Sequence, residues 1–288
     1  MLIEEFFDSA TSTLTYLVAD EIQRVCAVID SVLDFDPASG RTSTRSADRV
    51  IARVRELQLS VEWILETHVH ADHLTAAQHL KEAVGGRSAV SSRITEVQAE
   101  FGRLFNAGPS FAVDGSQFDR LLADGDTFSL GSIKVQALHT PGHTPACVSY
   151  VMTHGGRTAA FVGDTMFMPD SGTARCDFPG GDARVLYRSI HRVLELPETT
   201  EVYTCHDYQP GGRDMQFKST VGQQRAVNMH VRDGIDESSF VEMRQARDAT
   251  LSVPALLLPS IQVNMRGGRL PEPDPNGACF LKIPVNAL

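Results

Sequence analysis

The chain has 288 residues, enough for one large domain or two small ones. Apolar residues make up 42% and charged residues 22%, a composition that excludes low-complexity disorder for most of the chain. The formal charge of −10 argues against a nucleic-acid partner, because binding to phosphates needs a broad basic face.

Membrane insertion, secretion and a disulfide framework are also not indicated. No apolar run approaches the roughly 18 residues of a membrane span. The first eight residues contain no Lys or Arg, which a secretory signal would carry. The five Cys are odd in number and form no CxxC pair. We therefore expect a cytoplasmic protein with no membrane segment and no Cys-based zinc site.

The first half of the chain alternates strands and helices. Apolar residues recur at helical spacing from Val50 to Leu57, whereas residues 61–65 form a compact apolar run of strand length. The predicted strands are 13–18, 25–29, 61–65 and a short one around Ala89, and the predicted helices are 46–57, 74–84 and 94–105.

The second half begins with hairpins. The dipeptide Gly131-Ser132 between runs 128–130 and 133–138 is typical of a type II′ turn. Further predicted elements are strands 148–152, 158–162 and 201–204, and helices 182–194, 217–229 and 239–250. The last 35 residues hold six of the 14 Pro, so we expect them to be mostly extended and irregular. The whole pattern favours two face-to-face sheets with helices outside, forming a single domain over residues 1–288. Residues 210–288 would be a helical, then irregular, C-terminal extension.

The strongest chemical signal follows the predicted strand 61–65. It is the motif His68-x-His70-x-Asp72-His73, in which four side chains can converge on one point. Imidazole nitrogen and carboxylate oxygen suit zinc, iron or manganese. Unpaired His and Asp in a tight turn would pay a desolvation cost unless a cation neutralised them. The motif therefore predicts a metal site rather than an exposed polar loop.

Three more candidate ligands follow predicted strands. His143 lies in Thr-Pro-Gly-His-Thr, Asp164 in Val-Gly-Asp and His206 in Cys-His-Asp-Tyr. Each apolar run delivers one ligand to what can be a single edge of the sheets. Ligands held by several strands are rigid, as a catalytic metal site requires.

Over roughly residues 10–210, the chain resembles the metallo-β-lactamase superfamily. The resemblance lies in the motifs HxHxDH, PGHT, GD and HD, which occur in this order. The resemblance implies an α/β protein with a four-layer αββα sandwich. It also implies a metal site built from His68, His70, Asp72, His73, His143, Asp164 and His206. Every position is filled, so ligands for two metal ions are present.

Finer motifs are similar to the persulfide dioxygenases, also called sulfur dioxygenases, which are relatives of glyoxalase II. The motifs are STLTYLV, THVHADH, PGHTPAC, FVGDTMF, ARCDF and HDY. This similarity implies one catalytic Fe(II) held by His68, His143 and Asp164, with no second metal on the other residues. It further implies a homodimer that oxidises glutathione persulfide with O₂ and water to sulfite and glutathione. Ala174 and Cys176 depart from the Gly and Thr of the family's GRTDF motif, and Cys176 could change the shape of the pocket.

Substrate contacts are less sharply defined by the sequence. Glutathione carries two carboxylates, which favour cationic partners. The candidates are Arg175, Arg213, Lys218 and Arg225, with Tyr208 as a hydrogen-bond donor. Each of these can also be a solvated charge, a structural ion pair or a packed Tyr. His139 and Asp207 are candidates for orienting the ligands, with a structural role as the alternative.

The same seven residues are compatible with two kinds of enzyme. One is the iron persulfide dioxygenase. The other is a binuclear zinc hydrolase of glutathione thioesters, as in glyoxalase II, or of lactones, in which the metal activates water. A non-catalytic metal-binding or persulfide-sensing module is the third possibility.

Overall fold

The computed structural model describes residues 1–287. In chain order, the strands are β1 (Leu2–Asp8), β2 (Thr13–Asp20), β3 (Val25–Ile29), β4 (Val32–Asp36), β5 (Arg41–Ser43), β6 (Ser60–Leu65), β7 (Leu74–Thr75), β8 (Arg87–Ser91), β9 (Arg120–Leu122), β10 (Thr127–Leu130), β11 (Ile133–His139), β12 (Val148–His154), β13 (Arg157–Phe161), β14 (Glu201–Tyr203) and β15 (Lys218–Thr220). The helices are α1 (Arg45–Glu56), α2 (Ala77–Val84), α3 (Ile94–Leu104), α4 (Ala183–Leu194), α5 (Val221–Val227), α6 (Glu237–Asp248) and α7 (Leu257–Asn264).

The N-terminal half forms a six-stranded sheet in the order β1-β2-β3-β6-β8-β9. Strands β1 to β3 are antiparallel, whereas β3, β6, β8 and β9 run parallel to one another. Helices α1, α2 and α3 occupy the connections between the parallel strands, as parallel pairing requires. A small three-stranded sheet, β5-β4-β7, lies within these connections.

The C-terminal half forms the second six-stranded sheet, in the order β10 to β15. Strands β10 to β13 are an antiparallel meander, β14 joins β13 in parallel and β15 closes the edge in antiparallel fashion. Gly131 in the β10–β11 turn has a positive φ of 56°, as the predicted two-residue turn requires.

The two sheets pack face to face around an aromatic core. Tyr16 and Trp63 of the first sheet share this core with Tyr150 and Phe161 of the second. The outer face of the first sheet is covered by α1 and α2, and that of the second by α4 and α6. This arrangement confirms the predicted four-layer αββα sandwich.

One C-terminal prediction is wrong and a second is incomplete. The predicted helix 217–229 is instead strand β15 followed by the short helix α5, because residues 218–220 pair with β14. Thr220 then starts α5 with a capping box to Gln223. The final residues are mostly irregular, as expected, but α7 forms within them and packs into a hydrophobic cluster with α3. Since the C-terminal helices complete the cores of both halves, we propose that the chain is one domain.

Within residues 1–287, no helix combines the length and the apolarity needed to cross a membrane. All five Cys are free thiols, and four of them are buried while Cys279 is exposed.

Candidate metal centre

The candidate ligands lie where strands of the two sheets end. The HxHxDH motif follows β6 of the first sheet, while His143 follows β11, Asp164 follows β13 and His206 follows β14 of the second. The side chains of His68, His70, His73 and His206 are at most 2% exposed. The facing edges of the two sheets therefore bring residues from distant parts of the chain into one buried cluster.

Three of these residues form a compact set, which we call the three-residue set: His68, His143 and Asp164. Their potential ligand atoms all lie within 4.8 Å of one another. Asp164 Oδ2 lies 3.6 Å from His143 Nε2 and 3.9 Å from His68 Nε2. Two imidazoles and one carboxylate so close together form the donor set of a facial triad.

The other four residues, His70, Asp72, His73 and His206, form the four-residue set, again with ligand atoms within 4.8 Å. Asp72 Oδ2 and His206 Nε2 face each other at 3.2 Å, and Asp164 Oδ1 lies 3.4 Å from the same nitrogen. Asp164 therefore turns one oxygen to each set.

Hydrogen bonds on the far side of the rings fix the orientation of two ligands in the three-residue set. His143 Nδ1 donates to the carbonyl oxygen of Arg175 at 2.7 Å. His68 Nδ1 donates to Thr67 Oγ1 at 3.0 Å, because the Thr67 hydroxyl uses its own proton on Asp30. Both rings are thereby left with an unprotonated Nε2 facing the cluster, the tautomer that a metal needs.

The loop before β2 orients His206 in the same way. Its Nδ1 donates to the carbonyl oxygen of Ser12 at 3.2 Å, and the backbone N–H of Asp207 donates to the same oxygen. The Thr13 hydroxyl lies 3.4 Å from Nδ1 of both His73 and His206. Ser12 and Thr13 belong to the STLTYLV motif, which thus contributes to the cluster without supplying a ligand.

His70 is held differently, by two buried carboxylates. Its Nε2 donates to Asp30 Oδ1 at 3.1 Å and lies 3.4 Å from Glu66 Oε2. Burial lowers the pKa of His70, but the charges of Asp30 and Glu66 outweigh it and raise the pKa well above its usual range. For His68, burial and the neighbouring histidines hold the pKa well below its usual range. The imidazole of His68 is therefore neutral.

The cluster has the chemistry of a metal site. Buried side-chain nitrogen and oxygen atoms are nearly always hydrogen-bonded in folded proteins, because burial without a partner is costly. Six atoms of the cluster have no such partner, namely His68 Nε2, His70 Nδ1, Asp72 Oδ2, His73 Nε2, Asp164 Oδ1 and His206 Nε2. A bound cation would satisfy these atoms, so the residues present fit a metal ion.

A cavity of about 800 Å³ opens onto the cluster. Of the seven clustered residues, Asp72, His143 and Asp164 line it. Its walls are largely apolar, with Phe167 and Phe178 near the ligands. A substrate in this cavity would therefore meet the three-residue set directly.

Two of the predicted substrate contacts, Arg175 and Tyr208, line this cavity. The Arg175 guanidinium is already engaged, because it makes two 2.6 Å bonds to Asp177 and stacks on Phe178. Tyr208 stacks on the ring of His206, with ring centroids 5.7 Å apart.

The other predicted contacts are not in the cavity. Arg213 is paired with Asp170 and Asp207, Lys218 lies 3.4 Å from Glu201, and Arg225 is paired with Asp233. These three predicted substrate contacts therefore lie outside the cavity, in ion pairs with neighbouring carboxylates.

The two candidates for orienting ligands, His139 and Asp207, have different surroundings in the structure. The ring of His139 bonds to the Leu122 carbonyl and to Ser91, outside the cluster. Asp207 accepts from Arg213 and from the Gln216 backbone, and so braces the loop that carries His206.

Several important residues were missed by the sequence analysis. Asp30 was visible as a polar residue at a strand end, but Arg244, Arg247 and Asn264 belong to no motif. Arg244 and Arg247 line the cavity from α6. The Asn264 side chain on α7 donates to the carbonyl oxygens of both His70 and His73 at 2.8 Å.

Comparison with known proteins relates this geometry to a family. A model of the metallo-beta-lactamase superfamily matches residues 10–206. A Burkholderia pseudomallei protein named a probable metallo-hydrolase is 62% identical over the full length of both chains. A beta-lactamase hydrolase-like protein of Xylella fastidiosa is 52% identical over 99% of this chain, which spans only 65% of that protein.

More distant similarity is found to proteins named ETHE1. The human mitochondrial persulfide dioxygenase ETHE1 is 29% identical over 93% of this chain and 89% of its own length. The crystal structure of ETHE1 from Myxococcus xanthus has a TM-score of 0.74 and 30% identity, covering 93% of this chain and all of that one. The matched family model spans all seven clustered residues, and the chain belongs to the metallo-beta-lactamase superfamily.

Proposed function

We propose that the protein is a mononuclear iron persulfide dioxygenase that oxidises glutathione persulfide to sulfite and glutathione. The observation that carries this proposal is the three-residue set, of which His143 and Asp164 line the cavity. Two His and one carboxylate leave positions open on a ferrous ion. The similarity to the persulfide dioxygenase of Homo sapiens supports the same conclusion.

The chemistry of the reaction is balanced without an external reductant. Glutathione persulfide, O₂ and water yield glutathione and sulfurous acid, which ionises to sulfite. Both atoms of O₂ and the oxygen of water end on the sulfane sulfur, and the persulfide supplies the four electrons that O₂ accepts. Fe(II) on His68, His143 and Asp164 would supply the redox chemistry. The protein's part is to turn Nε2 of both imidazoles toward the ion and to hold the substrate against the apolar walls at Phe167 and Phe178.

Arg247 is the cavity cation best placed to bind a carboxylate of glutathione. Of the three arginines lining the cavity, Arg175 is bound to Asp177 and Arg244 to Asp248. Among residues 1–287, Arg247 is in no ion pair with a carboxylate. An exposed guanidinium facing the cavity therefore keeps its donors for the substrate.

Replacing Arg247 tests this contact. We expect Arg247→Gln to raise KM for glutathione persulfide about tenfold with little change in kcat, because one charge-assisted hydrogen bond is lost. Steady-state O₂ uptake measures both constants, and Arg225→Gln, outside the cavity, is the control. The persulfide of cysteamine, which has no carboxylate, should show no change in KM. An equal effect on both substrates would contradict the assignment.

The dioxygenase proposal itself is tested by substituting one ligand from each set. His143→Ala should abolish iron binding and O₂ uptake, whereas His73→Ala should keep iron and measurable O₂ uptake. Iron content and sulfite production are measured for both variants and the wild type. If His73→Ala loses iron as completely as His143→Ala, a single iron on the three-residue set is wrong.

The four-residue set favours a second candidate, a binuclear zinc hydrolase of glutathione thioesters or lactones. Its four ligands together with Asp164 complete a second metal site beside the first. A metal-bound hydroxide would be the nucleophile in such an enzyme. The zinc form should then cleave S-lactoylglutathione or a lactone rapidly, and a zinc form that cleaves neither would remove this candidate.

A further inference from the structure

The metal ligand His143 depends on a short irregular segment, residues 173–176. The Nδ1 atom of His143 donates to the carbonyl oxygen of Arg175 at 2.7 Å. This bond leaves Nε2 of the same ring to face Asp164. The segment contains no helix or strand that would fix the carbonyl by itself. The position of this acceptor must therefore be set by other contacts.

Side chains from the C-terminal region provide those contacts. Cys176 directly follows Arg175, and its backbone N–H donates to Asp248 Oδ2 at 2.9 Å. Arg244 Nη1 donates to the carbonyl oxygen of Thr173 at 2.9 Å, and the N–H of Thr173 donates to His230 Nδ1 at 3.0 Å. Backbone groups on both sides of Ala174 and Arg175 are thus tied to α6 and the turn before it.

Arg244 and Asp248 also bind each other. They are one turn apart on α6, with Nη2 and Nε of Arg244 lying 2.7 and 2.9 Å from Asp248 Oδ1. The residues are 1% and 5% exposed, so the pair is buried. A buried ion pair adds little net stability compared with apolar residues of similar size, but it fixes geometry when its remaining polar atoms are used. Here the remaining atoms are Arg244 Nη1, which binds Thr173, and Asp248 Oδ2, which binds Cys176.

We propose that the Arg244–Asp248 pair is a positioning unit for the metal site, which sets the Arg175 carbonyl that orients His143. This inference rests on the proposed function, in which His143 is a metal ligand. It assigns to α6 a role in metal binding, although α6 lies beyond the residues that the family model matches.

The experiment compares Co(II) binding among folded variants. The double substitution Arg244→Met/Asp248→Leu removes both charges and so leaves no unpaired buried ion. Asp248→Asn keeps an oxygen of the same size but loses the charge. Glu237→Gln is the matched control, because Glu237 lies on the same helix and pairs with Arg184 and Arg188 at the surface. All forms carry His73→Ala, so that only the three-residue set competes for the metal.

We expect the loss of Co(II) affinity to differ among the three variants. The double variant should keep its far-UV circular dichroism but bind Co(II) 10- to 100-fold more weakly, as loss of a ligand's supporting contacts typically does. Its Co(II) absorption bands should shift, because the His143 ring is free to turn. Asp248→Asn should lose affinity several-fold, and Glu237→Gln should match the parent in affinity and spectrum.

The measurements distinguish a failure of the positioning role from a failure of the proposed function. If either Asp248 variant folds and has the parent's Co(II) affinity and spectrum, the positioning role is overturned while the proposed function stands. If the double variant does not fold, Asp248→Asn decides in the same way. If the parent itself binds no Co(II), the proposed function fails and the inference fails with it.

Discussion

Gly163 allows Asp164 to reach both ligand sets. Its φ is +52°, and a Cβ built on it would lie 2.5 Å from the hydroxyl oxygen of Thr67. That hydroxyl bridges His68 and Asp30. The glycine therefore permits a left-handed backbone and a close approach between the carboxylate from one sheet and the histidine from the other.

We expect Gly163→Ala to lower the free energy of unfolding by about 3 kcal/mol, from the strained φ and the overlap with Thr67. Urea denaturation of the metal-free protein measures this. Gly155→Ala is the control, since Gly155 has a φ of +58° but nothing within 4 Å of the added Cβ. It should cost only about 1 kcal/mol. Equal losses at the two positions would show that the contact with Thr67 is unimportant.

His230 makes stability depend on pH. Burial, with the nearby charges of Arg244 and Arg247, lowers its pKa to about 4. In the unfolded chain its pKa is about 6.5, so the unfolded state binds a proton more readily. Its contribution to stability is therefore present above pH 6.5 and is lost as pH falls toward 4.

We expect His230→Gln to remove this dependence, because Gln still accepts from the Thr173 N–H but does not titrate. Between about pH 8 and pH 5 the wild type should lose about 2 kcal/mol more stability than the variant. Urea denaturation of both metal-free proteins at the two pH values measures the difference. Parallel losses in the two proteins would mean that His230 is not the titrating group.

At the scale of elements, α7 braces the HxHxDH motif. Asn264, near its end, donates to the carbonyl oxygens of His70 and His73 and accepts from the N–H of Thr75. The same amide thus closes the turn that presents His70, Asp72 and His73. An element at the far end of the chain completes the first ligand motif.

We expect Asn264→Ala to lower stability by about 2 to 3 kcal/mol, because two buried carbonyls and one N–H lose their partner. The zinc affinity of the metal-free protein should fall about tenfold, because the braced HxHxDH turn also carries His68. Gln262→Ala is the control, since Gln262 lies on the same helix but bonds to Leu258 and Lys282 instead. Zinc titration and thermal unfolding measure both effects. Similar zinc affinities for the two variants would contradict a role for α7 at the site.

The elements that the sequence predicts well are those with a local signal. The compact apolar run of β6 and the Gly-Ser turn after β10 were both read from neighbouring residues. Strand β15 was missed because its signal is pairing with β14, which is not local. Helix α7 was missed because Pro259 suggested irregular structure. It occupies the first turn, where the missing N–H costs nothing.

The same distinction holds at the site. All seven clustered residues could be named from their motifs, because His and Asp after strands are unusual. The family resemblance also set His68, His143 and Asp164 apart from the other four residues. The distances within and between the two sets could not be predicted, since they depend on how strand ends of two sheets meet. The braces, Asp248 and Asn264, are ordinary polar residues on helices, and only the folded structure shows their contacts.

On the scale of the whole molecule, the two sheets act as the two sides of one metal site. The first sheet supplies the HxHxDH motif, and the second supplies His143, Asp164 and His206. The C-terminal helices then support both sides, α6 through residues 173–176 and α7 through the HxHxDH turn. The fold thus links the stability of the C-terminal region to the geometry of the metal site.

Metal content measured together with O₂ uptake tests the central claim most directly. The protein is purified without oxygen, its iron and zinc are quantified, and glutathione persulfide is added at an oxygen electrode. The account predicts about one iron per chain, with O₂ consumed and sulfite formed in equal amounts. About two zinc ions per chain, with no O₂ uptake even after iron is supplied, would contradict it.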